Sequence, residues 1–299
     1  MGLMDFIAKK TYEEAEKERV QFIENCIIYD GPRLATEKYP ESVKVIKDIN
    51  YCGDDNEAHL LDIYVPEGMN SESFDEAFLL IHGGAFVYGN KELDKCFGMH
   101  VAESSNIPVI NVNYRLAPEA TMVDMLSDCL AAVDYVNEKY GVNKLHTTGD
   151  SAGGYLAYMM SLVINTAKIR EDLGLVLKGD VKAATANPIC GAFRNTSHGF
   201  PGIYFAGDKK LPDYVYDLGL AAELFGSAPT TIVTGSNDFL NADNHYLNDK
   251  LKSLGVKVEI RDYKSTSERD MHHVFSIAHP TWPEAEDSIA MMIGNAKGN

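Results

Sequence analysis

Gly149-Asp150-Ser151-Ala152-Gly153-Gly154 constrains this chain more than any other stretch. It fits G-x-S-x-G, a pattern that places a serine on a sharp turn where a strand ends and a helix begins at once. The turn holds the serine in strained backbone geometry with its hydroxyl exposed. Gly149 and Gly153 flank it because a Cβ at either position meets the opposite side of the turn. The pattern therefore asks for a strand–turn–helix unit and offers Ser151 as a nucleophile. Trypsin-like proteases carry a similar string, so the surrounding chain has to decide what the serine does.

Short apolar strands alternate with helical stretches on both sides of the motif. Phe78-Leu79-Leu80-Ile81 and Val109-Ile110-Asn111-Val112 are near-continuous apolar runs, as strands covered on both faces require. Val43–Ile46 and Leu60–Val65 suggest an antiparallel hairpin around the turn-rich Gly53-Asp54-Asp55-Asn56. Apolar residues at helical spacing fill Met122–Val136, and a weaker strand over Leu145–Thr148 leads into the serine turn. Further strands are expected at Val181–Thr185, Thr231–Thr234 and Val256–Ile260, and a last helix starts at Pro283. This order predicts a mostly parallel sheet of about eight strands with helices on both faces. Residues 1–40 read as helical. Residues 191–225 are irregular and rich in aromatics, and are expected to cover the site together with the N-terminal helix.

A serine hydroxyl needs a base, a group to orient that base, and donors for an oxyanion. His82-Gly83-Gly84-Ala85-Phe86 follows directly on a strand, and the N–H groups of Gly83 and Gly84 are expected to form an oxyanion hole with that of Ala152. Asp238, just past the strand at Thr231–Thr234, is the expected acid, with Asp243 as its competitor. His273 is the expected base, with His272 as the adjacent alternative. His82 reads as a loop brace, and Arg115 and Glu119 are expected to pair behind the site. The order Ser, Asp, His differs from the His, Asp, Ser of the all-β chymotrypsin-like enzymes.

Three blocks carry a family resemblance: His82-Gly83-Gly84-Ala85-Phe86, Asn113-Tyr114-Arg115-Leu116-Ala117-Pro118-Glu119 and Gly149–Gly154. With Asp238-Phe239-Leu240 and His273-Val274-Phe275, the chain resembles the hormone-sensitive-lipase-like branch of the α/β-hydrolases, a group that includes bacterial esterases. The resemblance implies a single α/β-hydrolase domain over 1–299. It also implies a carboxylic-ester hydrolase that works through Ser151, His273 and Asp238 without metal or cofactor. Ala85 stands where the family usually has a third glycine, and Phe239 where proline is common. His273 is preferred over His272 because His273-Val274-Phe275 matches the family's H-x-F step.

Phe86, Tyr88, Tyr155 and Phe205 are the expected substrate-binding residues, favouring a short, uncharged acyl group. Amide or arylformamide hydrolysis and sugar-ester deacetylation are alternatives on the same scaffold, and a non-catalytic ligand receptor is a remote one. The expected partner is a small-molecule ester, and a homodimer is left open. A net charge of −17 disfavours nucleic acid and anionic membrane surfaces. Five widely spaced cysteines with no C-x-x-C pair argue against a disulfide framework or zinc site. No apolar run is long enough to span a membrane, and the N-terminal stretch has no signal-peptide pattern, so the expected location is cytoplasmic.

Overall fold

The chain folds around one eight-stranded sheet, seen in a computed structural model that describes residues 3–207 and 209–298. The strands are β1 (Val43–Asn50), β2 (Leu60–Pro66), β3 (Glu76–Ile81), β4 (Val109–Val112), β5 (Lys144–Asp150), β6 (Lys182–Ile189), β7 (Thr230–Gly235) and β8 (Val258–Tyr263). Their spatial order is β1-β2-β4-β3-β5-β6-β7-β8. β2 runs antiparallel to both β1 and β4, and every other pair is parallel. The expected hairpin and parallel sheet are both present.

Period-two alternation explains why the central strands read as unbroken apolar runs. In β3, Ala77, Leu79 and Ile81 enter one core, while Phe78 and Leu80 enter the core on the other face. The first core also takes residues of α3 (Met122–Tyr140), α4 (Ser151–Asn165), α5 (Ala167–Leu173), α6 (Leu218–Phe225) and α7 (Asn241–Ser253). The second takes residues of α2 (Lys95–Ser105), α8 (Phe275–Ala278) and α9 (Pro283–Ala296). β5 departs from the apolar rule. His146 is buried but bonded through Nδ1 to Thr185 Oγ1 and through Nε2 to Glu76 Oε1, both at 2.8 Å. A satisfied polar group can stand in a core, which is why this strand is weak in the sequence.

Local signals set the helix ends. Thr121 and Asp124 close a capping box at the start of α3, and Gly141 ends it in the left-handed region. α9 begins with Pro283 and carries Glu284 and Glu286 in its first turn, where the helix dipole favours acid. α1 (Leu3–Leu34) differs from the rest. It lies by the carboxyl ends of the central strands and joins the first core only at its edge. Ala15 is its anchor, and Phe22 packs against Phe200. Among the described residues, no helix is long and apolar enough to cross a membrane.

Candidate active site

β5 ends at Asp150, and α4 starts at Ser151 with no intervening loop. Ser151 has φ 51°, a left-handed value that costs a non-glycine residue energy and has to be imposed by its surroundings. The close approach of β3 imposes it. A Cβ on Gly149 or Gly153 would strike the carbonyl oxygen of Ile81, so only glycine permits the elbow to sit against that strand.

The expected base and acid arrive from two neighbouring strand ends. His273 Nε2 lies 2.9 Å from Ser151 Oγ, and His273 Nδ1 lies 2.7 Å from Asp238 Oδ1. Asp238 follows β7, and an isolated bridge between Asn237 and His272 ties the acid loop to the histidine loop. Asp238 also accepts hydrogen bonds from the Leu240 N–H at 2.9 Å and the Thr234 hydroxyl at 2.8 Å. Burial pushes its carboxyl up, but the bond from His273 and these donors outweigh it and hold the carboxyl below its ordinary value.

The two competitors are engaged elsewhere. Asp243 accepts from the Arg194 side chain and backbone, at 2.5 and 2.8 Å. His272 directs Nδ1 to the carbonyl of His273 at 2.7 Å and Nε2 to the Tyr29 hydroxyl at 3.2 Å.

The glycine turn corrects one expectation. The Gly83 N–H donates to Asp150 Oδ1 at 2.8 Å and is therefore not free for a ligand. Gly84, Ala85 and Phe86 follow with φ of 108°, 49° and 64°. Neither Gly84 nor Ala85 donates its N–H to another described residue. Ala152 lies in the first turn of α4, where backbone N–H groups lack helical acceptors. Among the described residues, the N–H groups of Gly84, Ala85 and Ala152 are thus free. His82 is fully buried and braces this loop. Its Nδ1 meets the Gly83 carbonyl at 2.8 Å, its ring stacks on Tyr114, and the Tyr114 hydroxyl donates to the His82 carbonyl at 2.9 Å.

Ser151 and His273 line a cavity of about 470 Å³. Of the four expected substrate contacts, only Tyr88 lies on its wall. Phe86, Tyr155 and Phe205 are completely buried and pack edge-on or tilted against one another, so they form a support inside the core. Their aromatic character suited a pocket equally well in sequence.

The wall is built largely from residues with no such sequence signal. Phe22, Cys26 and Tyr29 come from α1, Leu93 from the turn before α2, and Ile277 from α8. Phe239 sits with its ring 4.2 Å from that of His273. No described residue of 191–225 lines the cavity; that segment instead props α1 through Phe200 and through Tyr204, whose hydroxyl donates to Glu16 at 2.6 Å. The expected Arg115–Glu119 pair is also replaced, because Arg115 grips Asp128 with two bonds of 2.9 and 2.7 Å.

Two groups of side chains have metal-ligand spacing among the described residues. Cys190, Asp238 and His273 form one, but His273 and Asp238 already bond each other, and burial pushes the Cys190 thiol well above its ordinary value. Cys52, Asp54 and His59 form the other, remote from Ser151 on the loop after β1, with His59 Nδ1 on Asp54 at 2.7 Å.

The sequence is 36% identical over 104 residues to an AB hydrolase superfamily protein of Schizosaccharomyces pombe, covering 33% of this chain and 30% of that protein. It is 24% identical to a versiconal hemiacetal acetate esterase of Emericella nidulans, covering 73% of this chain and 79% of that one. The chain spans less than two thirds of the length of three curated relatives it matches, at 30%, 29% and 55%. Esterase B of Lactobacillus rhamnosis, solved with a tributyrin phosphonate inhibitor, superposes with a TM-score of 0.83 at 19% identity, over 97% of this chain and 95% of that one. The family model described as alpha/beta hydrolase fold matches residues 78–276. With its strand order, its serine elbow and this match over most of its length, the chain belongs to the α/β-hydrolase fold family.

Proposed function

We propose that the protein is a serine carboxylic-ester hydrolase. The observation that carries this is the unbroken path from Ser151 Oγ through the His273 ring to Asp238, with links of 2.9 and 2.7 Å. His273 takes the serine proton as Ser151 attacks the ester carbonyl. Asp238 fixes the imidazole tautomer and stabilises its positive charge. The N–H groups of Gly84, Ala85 and Ala152 receive the developing oxyanion. His273 then returns the proton to the departing alcohol and activates the water that releases the acyl group.

Short, uncharged acyl groups fit this site best. The cavity wall is mainly apolar, with Phe22, Leu93, Phe239 and Ile277, and α1 adds Cys26 and Tyr29 to it. The acetate ester in the name of the Emericella nidulans relative, and the tributyrin phosphonate bound by the Lactobacillus enzyme, point the same way. A location in a reducing compartment is supported by five cysteines that are all free.

The test is turnover of p-nitrophenyl acetate and butyrate together with labelling by a fluorophosphonate probe. Ser151→Ala is expected to abolish labelling and to lower kcat by on the order of 10⁶-fold, as for triad serines elsewhere. Wild-type protein that neither labels nor turns over esters would instead favour a ligand receptor on this scaffold.

A further inference from the structure

Two aspartates lie at helix N-termini beside the site, and neither caps its helix. Asp94 precedes α2 and Asp150 precedes α4, yet neither side chain makes a capping bond. Aspartate at this position usually bonds the free N–H groups of the first turn. Here the two carboxyls turn to each other and hydrogen-bond, and both are buried, at 1% and 6% exposure. Asp94 Oδ2 is buried with no donor among the described residues, while Asp150 Oδ1 holds the Gly83 N–H. Arg33 of α1, whose charge acts on both carboxyls, is committed elsewhere, donating to Asp30, Glu37 and the Leu93 carbonyl.

A carboxylate carries no proton to donate, so a hydrogen bond between two carboxyls requires one of them to be an acid. We propose that Asp94 and Asp150 share one proton, and that this acid–carboxylate pair positions the Gly83–Gly84 turn so that the Gly84 N–H meets the oxyanion. Asp94 is the proton carrier, and Asp150 keeps the negative lone pair that the Gly83 N–H needs. The shared proton also limits the pair to one negative charge beside a site where negative charge develops. Burial, joined by the partner carboxylate, holds Asp94 well above the ordinary carboxyl range. The other ionisable groups around the pair are Asp30 and Arg33 from α1, His273, the buried Tyr114 and Tyr64, and Cys190. Asp94 and Asp150 are positioning residues, acting through Gly83, and the inference rests on the ester-hydrolase reading above.

The experiment compares Asp94→Asn and Asp94→Ala with wild-type protein. The asparagine amide can donate to Asp150 as the acid does, whereas alanine leaves Asp150 buried and alone. Asp94→Asn is expected to keep kcat within about threefold of wild type. Asp94→Ala is expected to lower it by about ten- to a hundredfold with KM nearly unchanged, somewhat less than direct loss of an oxyanion donor. Wild-type kcat should fall on the alkaline side as the shared proton is lost, and Asp94→Asn should lack that limb. In infrared difference spectra at neutral pH, wild type should show the C=O stretch of a protonated carboxylic acid, and Asp94→Asn should not. The spectrum is a property of the folded protein and stays decisive if Asp94→Ala fails to fold. Equal kcat losses in both variants, or no acid band in wild type, would overturn the proposal. Wild-type protein inert to esters and to fluorophosphonate would overturn the functional reading instead, leaving the infrared result to judge the pair.

Discussion

His82 is sealed from water with one of its two ring nitrogens unsatisfied. Nδ1 bonds the Gly83 carbonyl, but Nε2 has no partner among the described residues. Burial pulls the imidazole down from 6.5 to about 4. The folded state thus refuses a proton that the unfolded chain accepts, and this group's contribution to stability is present above pH 6.5 and lost as pH falls toward 4. The displacement from 6.5 to about 4 corresponds to roughly 3 kcal/mol. Denaturant unfolding measured across that window should show wild type losing stability more steeply than His82→Gln, which has no proton to take up there. Equal slopes would mean that the ring is hydrated in solution. This role was legible in outline, because a histidine beside two glycines at a strand end reads as a brace. Its unsatisfied nitrogen was not, since burial of one atom depends on Tyr114, far along the chain.

The elements divide by what specifies them. β3, β4 and the elbow are written locally, in continuous apolar residues followed by obligatory glycines, and they carry Ser151 to its place. Asp238 and His273 also lie at strand ends, so strand order brings them together once the sheet forms. α1 has no comparable signature. Of its apolar residues, Phe22 and Ile23 pack inward while Val20 and Ile27 stay exposed. A helix laid over a cavity is not sorted into one wet and one dry face, so its periodicity does not say where it goes.

Besides its packing through Ala15 and Phe22, α1 has a polar attachment near its end, where Arg33 donates to the Leu93 carbonyl and is steadied by the adjacent Asp30 and Glu37. Arg33→Ala should strip those carboxylates of their partner and loosen the wall that Tyr29 and Cys26 provide. KM for a butyrate ester is expected to rise by about tenfold, equivalent to ~1.4 kcal/mol of binding. Reactivity with fluorophosphonate should fall less, because Ser151 and His273 stand on the sheet. A variant with unchanged KM would show that α1 stays seated without this anchor.

At the scale of the molecule, charge and interior oppose each other. The surface carries a net charge of −17, while the cavity wall is mainly apolar. A negatively charged ester approaches against the field of the whole protein and then gives up its hydration at the cavity. A hemisuccinate ester should therefore show a higher KM than a butyrate ester of the same alcohol. The part of that gap due to the surface should narrow as salt rises and screening shortens to about 10 Å at 0.1 M. A gap independent of ionic strength would assign the discrimination wholly to the cavity. The sign of the net charge was plain from composition, but which acids border the site was not. Asp30 and Asp94 reach it from separate segments that only the folded chain juxtaposes.

The roof supplied by α1 also bears on how such a protein changes over generations. Ser151, His273 and the Gly84, Ala85 and Ala152 N–H groups all stand on the sheet or on the turns that leave it, whereas Phe22, Cys26 and Tyr29 belong to one helix ahead of the first strand. Selection for a new substrate can act on that helix while the chemical apparatus is inherited intact. Recombination at the junction after Leu34 would exchange one appetite for another in a single event.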